Sequence, residues 1–423
     1  MKAHRLFFLF LLIFSSGAFA ITDEEIFRNF QFSFVNPGAR SGAMGGAFIG
    51  LADDATAAEA NPGGLTILTK PEVSFEYRHT EFDADRLNSL NIIQQEGIGL
   101  VVDSANTLED QDQPTFLSVV YPIGGTTLAF SRQELSRTKG GIDETFLIFD
   151  QTSSAVFGTT ATQDQSIVNY NFSFGTKLTD HFSIGATARY SQLDWKADVI
   201  NALLVGNQAF LIFQTELDDT DNAFAWNAGF LYNIDRFSVG AVYKKNPKFE
   251  VSETESGPFS RKPGTFTNVL KIPDTFGVGV ALKPNDKITL VADVVRVENS
   301  DLLEGIDVGR NVILALAGSD AVYNIEDDWD FHAGVEFVVF AGSVPIALRQ
   351  GYYRSSSNSL VVESISGDPS NLGVMQALFT ERENEHHFTL GNGFVFGAHF
   401  QIDWALDLSN LQDSFILSTV VRF

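Results

Sequence analysis

The stretch HFQIDWALDL, residues 399–408, decides the fold of this chain. Every second residue in it is apolar, and the residues between them include Gln401, Asp403 and Asp407. Because successive side chains of a β-strand point to opposite faces, this period of two predicts a strand with one wholly apolar face. The same alternation recurs at residues 168–175, 182–190, 224–232 and 329–337. The chain is therefore predicted to be all-β.

Small residues build the polar faces of these strands. Gly, Ser and Asn are common there, whereas the hydrated face of a soluble β-sandwich is usually richer in Lys and Glu. Apolar stripes opposite small polar residues are typical of strands with lipid outside and a lumen inside. The 44% of hydrophobic residues argues against disorder. No run after the N terminus approaches the roughly 20 apolar residues of a membrane helix.

About fourteen such segments can be counted, which predicts a 14-stranded antiparallel transmembrane β-barrel over residues 71–423. An even number of strands places both chain ends on the periplasmic side. Tight turns alternate with connections that we expect to be mostly loops of about fifteen to thirty residues, as is typical of this class. The predicted strands lie near residues 71–82, 114–122, 125–135, 165–178, 181–195, 222–234, 236–251, 267–283, 287–299, 328–341, 344–356, 383–396, 398–409 and 412–423.

The end of the chain predicts partners for the barrel. Phe423 is the last residue, and Phe415, Leu417, Thr419 and Val421 share one face of the last predicted strand. A terminal aromatic residue with this spacing looks like the signal read by the barrel-assembly machinery, which we expect to act during biogenesis. Outer-membrane lipids and lipopolysaccharide are expected to surround the folded barrel.

The first twenty residues predict export. Lys2 and Arg5 form a basic n-region, residues 6–14 an apolar h-region, and Ala-Phe-Ala at residues 18–20 a cleavage site. The alternative, a membrane anchor, is disfavoured because about nine apolar residues are too few to span a bilayer. We therefore predict a signal peptide at residues 1–20 and a mature protein in the cell outer membrane.

Charge and motif content exclude several classes of function. The formal net charge of −25 argues against a nucleic-acid partner, whose phosphates would be repelled. The sequence has no Cys and no G-x-S-x-G, P-loop or H-E-x-x-H motif, so we predict that the chain is not an enzyme and has no cofactor or metal site. Acidic groups near residues 218–221 and 326–330 could bind Ca²⁺, but solvated loop charges are the simpler interpretation.

Residues 21–70 lack the barrel alternation and are predicted to form a plug. Eight strands leave an interior that side chains fill, and sixteen to eighteen leave an open channel, so an intermediate barrel would leak without a plug. A capping box of Thr22 with Glu25 predicts a short helix. The Gly-rich stretch at residues 38–50 then leads to a short Ala-rich helix that should stop at Asn-Pro-Gly-Gly, residues 61–64.

Several motifs carry a resemblance to a known family. PGARSGAMGGAF at residues 37–48, LADDA at residues 51–55 and NPGGL at residues 61–65 look like the N-terminal hatch of the outer-membrane long-chain fatty-acid transporter (FadL, toluene-X) family. LKIP at residues 270–273 resembles part of a strand pair of that family, and HHFTLG at residues 386–391 resembles its penultimate hairpin. The likeness covers nearly the whole mature chain.

The resemblance implies a barrel whose hatch shifts to let a hydrophobic molecule pass from outside along a narrow lumenal path. Asn61, Pro62 and Gly63 match the family's hatch motif and are the predicted gating residues. The family usually has Asn-Pro-Ala here, and Gly63 would loosen the backbone. In the family a kink in the third strand opens a side window. The predicted third strand here, residues 126–135, contains no Gly or Pro, which argues against a lateral exit.

Apolar residues in the predicted outer loops support an apolar cargo. We predict that Leu203, Leu204, Phe210 and Phe213 capture the substrate, because apolar surface facing water should be covered or should bind something. The alternative is that such loops pack on one another and cap the barrel. Similar apolar stretches lie at residues 146–149, 312–317 and 374–379.

Two arginines are predicted on the lumenal faces of strands. Arg189 and Arg349 could hold a substrate carboxylate through two parallel hydrogen bonds. The alternative is that they pair with the lumenal carboxylates of Asp403, Asp407 or Glu336.

These features favour an outer-membrane transporter that takes up hydrophobic small molecules, with long-chain fatty acids as the first candidate cargo. Fatty acids, aromatic hydrocarbons and terpenoids all require only apolar contacts, so the sequence does not name the cargo. The alternative is an interaction or shuttle barrel linked to protein secretion, in which the same apolar loops bind protein. A general porin is disfavoured by the predicted plug, and a barrel-embedded hydrolase by the lack of a nucleophile elbow.

Overall fold

The structure is a computed structural model that describes residues 32, 34–83, 88–95, 98–149, 154–260, 263–304, 321–342, 344–365, 372 and 384–423. The predicted signal peptide, the capping box of Thr22 and the apolar stretches 312–317 and 374–379 lie outside these residues. None of the helices within the described residues is long and apolar enough to cross a membrane.

Strands dominate the described part of the chain. They are β1 (Glu72–Phe82), β2 (Ser89–Gln95), β3 (Ile98–Asn106), β4 (Gln111–Ile123), β5 (Thr126–Phe149), β6 (Ser154–Lys177), β7 (Phe182–Val205), β8 (Gln208–Ile234), β9 (Phe237–Lys245), β10 (Lys248–Ser256), β11 (Gly264–Lys271), β12 (Thr275–Asn285), β13 (Ile288–Val297), β14 (Ala321–Asn324), β15 (Asp328–Ala341), β16 (Val344–Ser355), β17 (Val361–Ile365), β18 (Glu385–Phe396), β19 (Phe400–Leu408) and β20 (Gln412–Arg422).

Fourteen of these strands close into an antiparallel barrel, which confirms the predicted fold. The order around the barrel is β1-β4-β5-β6-β7-β8-β9-β12-β13-β15-β16-β18-β19-β20, and β20 pairs back onto β1. The remaining strands lie on the side of the long connections. β2 and β3 form a hairpin that pairs with β5, β10 and β11 form one that pairs with β8, and β14 pairs with β17.

Burial alternates along the strands as the sequence predicts. In β6 the polar side chains of Asn169, Asn171 and Ser173 are fully buried, whereas Phe172 between them is 55% exposed. Asp403 in β19 is likewise buried. Lipid rather than water therefore suits the exposed face, and the polar residues line the interior.

Four strands are much longer than predicted. β5, β6 and β7 have 24 residues each and β8 has 27, whereas about 9–11 residues suffice to cross a membrane. The predicted long loop after residue 195 is therefore wrong. β7 and β8 continue outward as a hairpin that turns at Gly206, whose φ of 60° suits glycine. The sequence does not predict this extension, because the apolar residues of the extension do not alternate with polar ones.

The third barrel strand differs from its prediction in the same way. β5 runs on to Phe149, so it contains Gly140 and Gly141. Its pairing with β6 shifts register around Leu135, and Phe32 forms an isolated bridge with Ser136 at that point. The absence of Gly and Pro from residues 126–135 therefore does not describe the whole strand.

Residues 38–68 lie inside the barrel. They form two single-turn helices, α1 (Ala39–Gly42) and α2 (Ala57–Ala60), and a 3₁₀ helix over Pro62–Ile67. Asn61 caps this 3₁₀ helix, because its Oδ1 accepts a hydrogen bond from the backbone N–H of Gly63. We refer to residues 34–68 as the hatch. The boundaries predicted at residues 20 and 70 stay predictions.

Candidate functional site

Glycines of the wall let the hatch lie directly on the strands. A Cβ added at Gly175, Gly185, Gly229 or Gly240 would fall less than 3.0 Å from hatch atoms. The same holds on the other side of the barrel, where Gly334, Gly351 and Gly391 face hatch residues 43–45. A side chain at these positions would overlap the hatch. The hatch therefore packs directly against the wall at these positions.

Hydroxyl groups of the wall hold the hatch by its backbone. Ser118 donates to the carbonyl of Ala55 (3.0 Å), Ser173 to Ala58 (3.2 Å), Ser183 to Gly63 (2.8 Å) and Ser238 to Gly50 (2.6 Å). These bonds satisfy hatch carbonyls that would otherwise be buried without partners. The small polar residues read from the sequence are thus the contact surface for the hatch.

The predicted gating residues lie together against β6–β9. The Nδ2 group of Asn61 donates to the carbonyls of Ile49 (3.0 Å) and Phe230 (2.9 Å), so it joins two hatch segments to β8. A Cβ at Gly63 would lie 3.0 Å from the β8 backbone, which is tighter than ordinary contact. The glycine that replaces the family's alanine therefore fits a close approach to the wall. The gating role of Asn61, Pro62 and Gly63 stays a prediction.

Arg189 binds the hatch. Its guanidinium lies 2.9 and 2.8 Å from the two carboxylate oxygens of Glu59, and Lys244 donates to the same carboxylate at 2.9 Å. Burial alone would raise the pKa of Glu59, but the two cations outweigh burial and hold that pKa below its ordinary value of 4.5. Arg189 could hold a substrate carboxylate only if Glu59 left. The partners considered for it from the sequence did not include Glu59.

Arg349 has the partners that the sequence offered as its alternative. Its Nε lies 2.8 Å from Glu336 and its Nη1 lies 2.7 Å from Asp403. Arg40 of the hatch shares Glu336 at 3.1 Å and pairs with Asp53 at 2.6 Å. Arg349 thus belongs to a second charged network that joins the hatch to the wall.

The four predicted capture residues do not all lie on one face of the β7–β8 hairpin, although Leu203 and Phe210 are register partners. Leu203 and Phe213 pack in a cluster with Val199 and Ile212, and Phe213 is 1% exposed. Phe210 is 50% exposed near the tip of the β7–β8 hairpin, and Leu204 lies on the opposite face of β7 from Leu203. Leu203 and Phe213 thus pack as the alternative describes, and capture of a substrate by Leu203, Leu204, Phe210 and Phe213 stays a prediction.

Above the hatch, the lumen is filled by apolar side chains. We call this cluster the outer core, and Phe32 and Phe34 pack against it. Its buried members are Leu100, Val102, Leu135, Ile167, Leu193, Trp195, Leu217, Phe249, Val251, Leu270, Ile272, Leu302, Ile325, Leu360 and Val362. An apolar molecule entering from outside meets this region before it meets the hatch.

A cavity of about 390 Å³ lies between the hatch and the wall, which we call the lumenal cavity. Val35 and Pro37 of the hatch line one side of it. Phe32, Phe34 and Leu135 give it an apolar wall continuous with the outer core. Its volume falls within the range of about 300–1,000 Å³ that is usual for ligand pockets.

The opposite wall of the lumenal cavity is a polar ladder across β15, β16, β18 and β19. The ring of Tyr353 stacks between His332, at 5.3 Å between centroids, and His387, at 4.0 Å. The Tyr353 hydroxyl donates to Asp407 at 2.6 Å, and His387 Nδ1 lies 2.9 Å from the same carboxylate. The Nδ1 of His332 is 2.7 Å from the carbonyl of Gly45, so the ladder ends on the hatch.

A second contact joins the lumenal cavity to the hatch through β1. Glu76 accepts hydrogen bonds from the backbone N–H of Gly38, from Thr115 at 2.6 Å and from Arg78 at 3.0 Å. Glu76 and Arg78 both line the cavity. Residues of the cavity wall therefore hold the first turn of the hatch.

Little of this cavity could be predicted from the sequence. The adjacent His386 and His387 were visible, but the structure sends them to opposite faces, with His386 at 2.7 Å from the hydroxyl of Tyr352. Tyr353 meets His332 and His387 because they are register partners on neighbouring strands. Register between distant segments cannot be read from the alternation of one segment.

The carboxylates of Asp274, Glu298 and Asp301 come close enough to hold a metal ion. Lys271 contacts Asp274 and lies 3.2 Å from Asp301, and Lys245 lies 2.6 Å from Asp274, so two ammonium groups already pair with these carboxylates. Residues of the acidic groups considered for Ca²⁺ pair with basic side chains, namely Asp218 with Lys196, Asp327 with Arg296 and Asp328 with Arg354. We assign no metal site to these groups.

Comparison with known proteins agrees with this architecture. Residues 29–362 match the family described as outer membrane protein transport protein (OMPP1/FadL/TodX). No protein of curated function matches the chain in sequence. The chain is similar in structure to a FadL homologue of Pseudomonas aeruginosa, with a TM-score of 0.62, 12% identity and coverage of 93% of this chain and 99% of that one.

Two toluene transporters are also similar in structure. For TbuX of Ralstonia pickettii the TM-score is 0.59 at 16% identity, over 92% of this chain and 99% of that one. For TodX of Pseudomonas putida the TM-score is 0.56 at 14% identity, over 93% of this chain and 99% of that one. Likeness at these identities concerns the fold.

Proposed function

The chain belongs to the OMPP1/FadL/TodX family of outer-membrane transporters, and from this premise we propose that it takes up hydrophobic small molecules through its barrel. In this proposal the molecule enters at the outer end, where Phe210 is exposed. It then moves through the outer core to the lumenal cavity and passes when the hatch shifts. Long-chain fatty acids, the cargo favoured from the sequence, and aromatic hydrocarbons, named for the toluene transporters, are the classes to test.

One observation carries the proposal. The lumenal cavity touches the apolar outer core on one side and the hatch on the other. A hydrophobic molecule can therefore reach the hatch without crossing a hydrated channel. A general porin would instead need a water-filled lumen, since sixteen to eighteen strands are typical of such channels.

Passage requires the hatch to move. Its backbone lies against wall glycines, Glu59 joins it to β7 and β9, and Arg40 joins it to β15. A hatch held by many short contacts stays closed until something competes with them. Fixing the hatch covalently should therefore stop uptake.

The absence of Cys makes a disulfide lock a clean test. A Cβ at Gly42 of α1 would lie 3.8 Å from the Cβ of Ala405 on β19, which matches the usual spacing of about 3.8 Å in a disulfide. It would also lie 2.8 Å from the Cδ1 atom of Ile416, so the pair Gly42→Cys and Ala405→Cys is best made with Ile416→Val. Oxidation should abolish uptake of radiolabelled oleate or toluene, and a reductant should restore it.

The variant Gly42→Cys with Ile416→Val, which lacks the second thiol, is the matched control and should not respond to oxidant. Equal uptake by the oxidised and reduced double-cysteine protein would contradict hatch movement. If the reduced protein, normally assembled, imports neither probe, the shuttle barrel becomes the better explanation of the apolar outer residues.

A further inference from the structure

The lumenal cavity is acidic. Five carboxylates line it, those of Glu76, Glu134, Asp330, Glu385 and Asp407, and the guanidiniums that line it are those of Arg78 and Arg137. Even with a protonated His387, the carboxylates outnumber the cations. A second carboxylate brought into this space would meet like charge at short range.

Each guanidinium already has one carboxylate partner. Arg78 donates to Glu76 at 3.0 Å, and Arg137 lies 2.6 Å from Asp164. Arg78 is also beside the carboxylate that holds Gly38 of the hatch. An anionic headgroup would therefore have to share Arg78 with the buried carboxylate of Glu76, or share Arg137 with the carboxylate of Asp164.

Hydrogen-bond acceptors remain available. Asp407 accepts from Tyr353 at 2.6 Å and from His387 at 2.9 Å, and Asp330 accepts from the backbone N–H of Ser356 at 2.6 Å. An ionised carboxylate offers about four acceptor positions. Both carboxylates can thus accept a further hydrogen bond from a ligand that donates one.

The cavity is also amphipathic. Phe32, Phe34 and Leu135 lie on its apolar side, whereas Asp330 and Asp407 belong to its polar side. This arrangement suits a molecule with an apolar body and one polar end. The carboxylates of the cavity favour a polar end that is not negatively charged.

We infer that the lumenal cavity binds hydrophobic compounds whose polar end is an uncharged hydroxyl, as in alcohols and phenols, and discriminates against carboxylates. The inference rests on the proposed function and specifies its substrate class. The hydroxyl donates a hydrogen bond to Asp407 or Asp330, and the hydrocarbon body contacts Phe32, Phe34 and Leu135. An ionised fatty acid of the same length loses the hydrogen bond and gains repulsion.

The test compares 1-octanol with octanoate at pH 8 by titration calorimetry of the purified protein in amphipol. The two probes share chain length and differ in the charge of the polar end. We expect octanol to bind at least about tenfold more tightly than octanoate. Asp407→Asn and Asp330→Asn, made separately, should each narrow this ratio because they remove charge while keeping shape. Asp286→Asn, at a periplasmic turn where the side chain is 93% exposed, is the matched control and should not change it.

Each outcome has a separate meaning. Octanoate binding as tightly as octanol, or a ratio unchanged in both Asp330→Asn and Asp407→Asn, would overturn the inference and leave uptake of hydrophobic molecules intact. If neither probe binds a protein that still shows heat-modifiable migration, the inference fails; the proposed function fails as well only if that protein imports neither oleate nor toluene. Two aspartate variants on different strands keep the test valid if one of them does not assemble.

Discussion

At the scale of the residue, buried charges decide where the hatch sits. Glu59 on α2 is 2% exposed and reaches Arg189 on β7 and Lys244 on β9. A buried ion pair adds little net stability, but removal of one partner leaves the other charges without compensation. Such a contact fixes position more than it adds stability. It also accounts for the lumenal Arg189 without any substrate.

Neutralising this carboxylate should loosen the hatch. Glu59→Gln leaves Arg189 and Lys244 as unpaired buried cations, at a cost of about 3–5 kcal/mol to hatch docking. We expect more frequent channel openings in planar bilayers at pH 7 and a barrel that still assembles. Glu109→Gln, which removes an exposed ion pair with Lys139, is the matched control and should behave as wild type. Wild-type gating in the Glu59→Gln protein would mean that the charge does not hold the hatch.

The pH dependence of the wild type follows from the same group. The pKa of Glu59 is lowered in the folded protein, so its stabilising effect is complete above its ordinary value of 4.5. The effect is lost as the pH falls through the lower folded pKa. Openings should therefore stay rare from pH 8 to about pH 5 and become frequent only below about pH 4.5. A rise in channel openings between pH 7 and pH 5 would mean that a titratable group other than Glu59 holds the hatch.

At the scale of the element, glycines in the wall strands provide the space that the hatch occupies. The lumenal faces of β6, β7, β8 and β9 each place a glycine where the hatch backbone passes. Glycine weakens a strand interior and is expected where another backbone approaches closely. The glycines thus make the wall strands locally less stable, and the hatch occupies the space that side chains would otherwise fill.

A single methyl group tests this element. Gly185→Ala would place a Cβ less than 3.0 Å from the backbone of Pro62 and Gly63, so the 3₁₀ helix must move away from the wall. We expect higher single-channel conductance. We also expect limited proteolysis to cleave the hatch at a lower temperature than in the wild type. Gly125→Ala is the matched control, because nothing lies within 4 Å of its Cβ position. Identical proteolysis of the two variants would show that the hatch tolerates displacement.

At the scale of the whole molecule, two layers close the lumen. The hatch lies at the level of the wall glycines, and the outer core fills the space toward the long connections. The barrel needs neither layer for its strand pairing, because every barrel strand is paired with two neighbours. Closure and assembly are therefore separable.

Deletion of residues 21–68 tests which layer seals the barrel. The protein should still assemble, with heat-modifiable migration on gels and a far-UV spectrum dominated by β-structure. Single-channel conductance in planar bilayers should rise, because water replaces the hatch against the glycines and hydroxyls of the wall. Conductance equal to that of the full-length protein would assign the seal to the outer core.

The sequence by itself determined the all-β class, the fourteen barrel strands and the presence of a non-alternating segment before them. These properties are local: a side chain faces lipid or lumen according to its position in a period of two, as Phe172 between Asn171 and Ser173 illustrates. The extension of β7 to Val205 was not predicted, because apolar residues lie on both faces of this part of the strand and the period of two is absent there. The tertiary structure alone decided which groups meet inside.

Contacts within the lumen depend on closure and register. Glu59 and Arg189 are 130 residues apart in the chain, and Arg349 and Asp403 are 54 apart. The stack of His332, Tyr353 and His387 requires three strands in one register. A shift of one residue in any of these strands would turn its side chain to the lipid face. The site is therefore a property of the closed barrel, whereas the strands that build it are a property of the sequence.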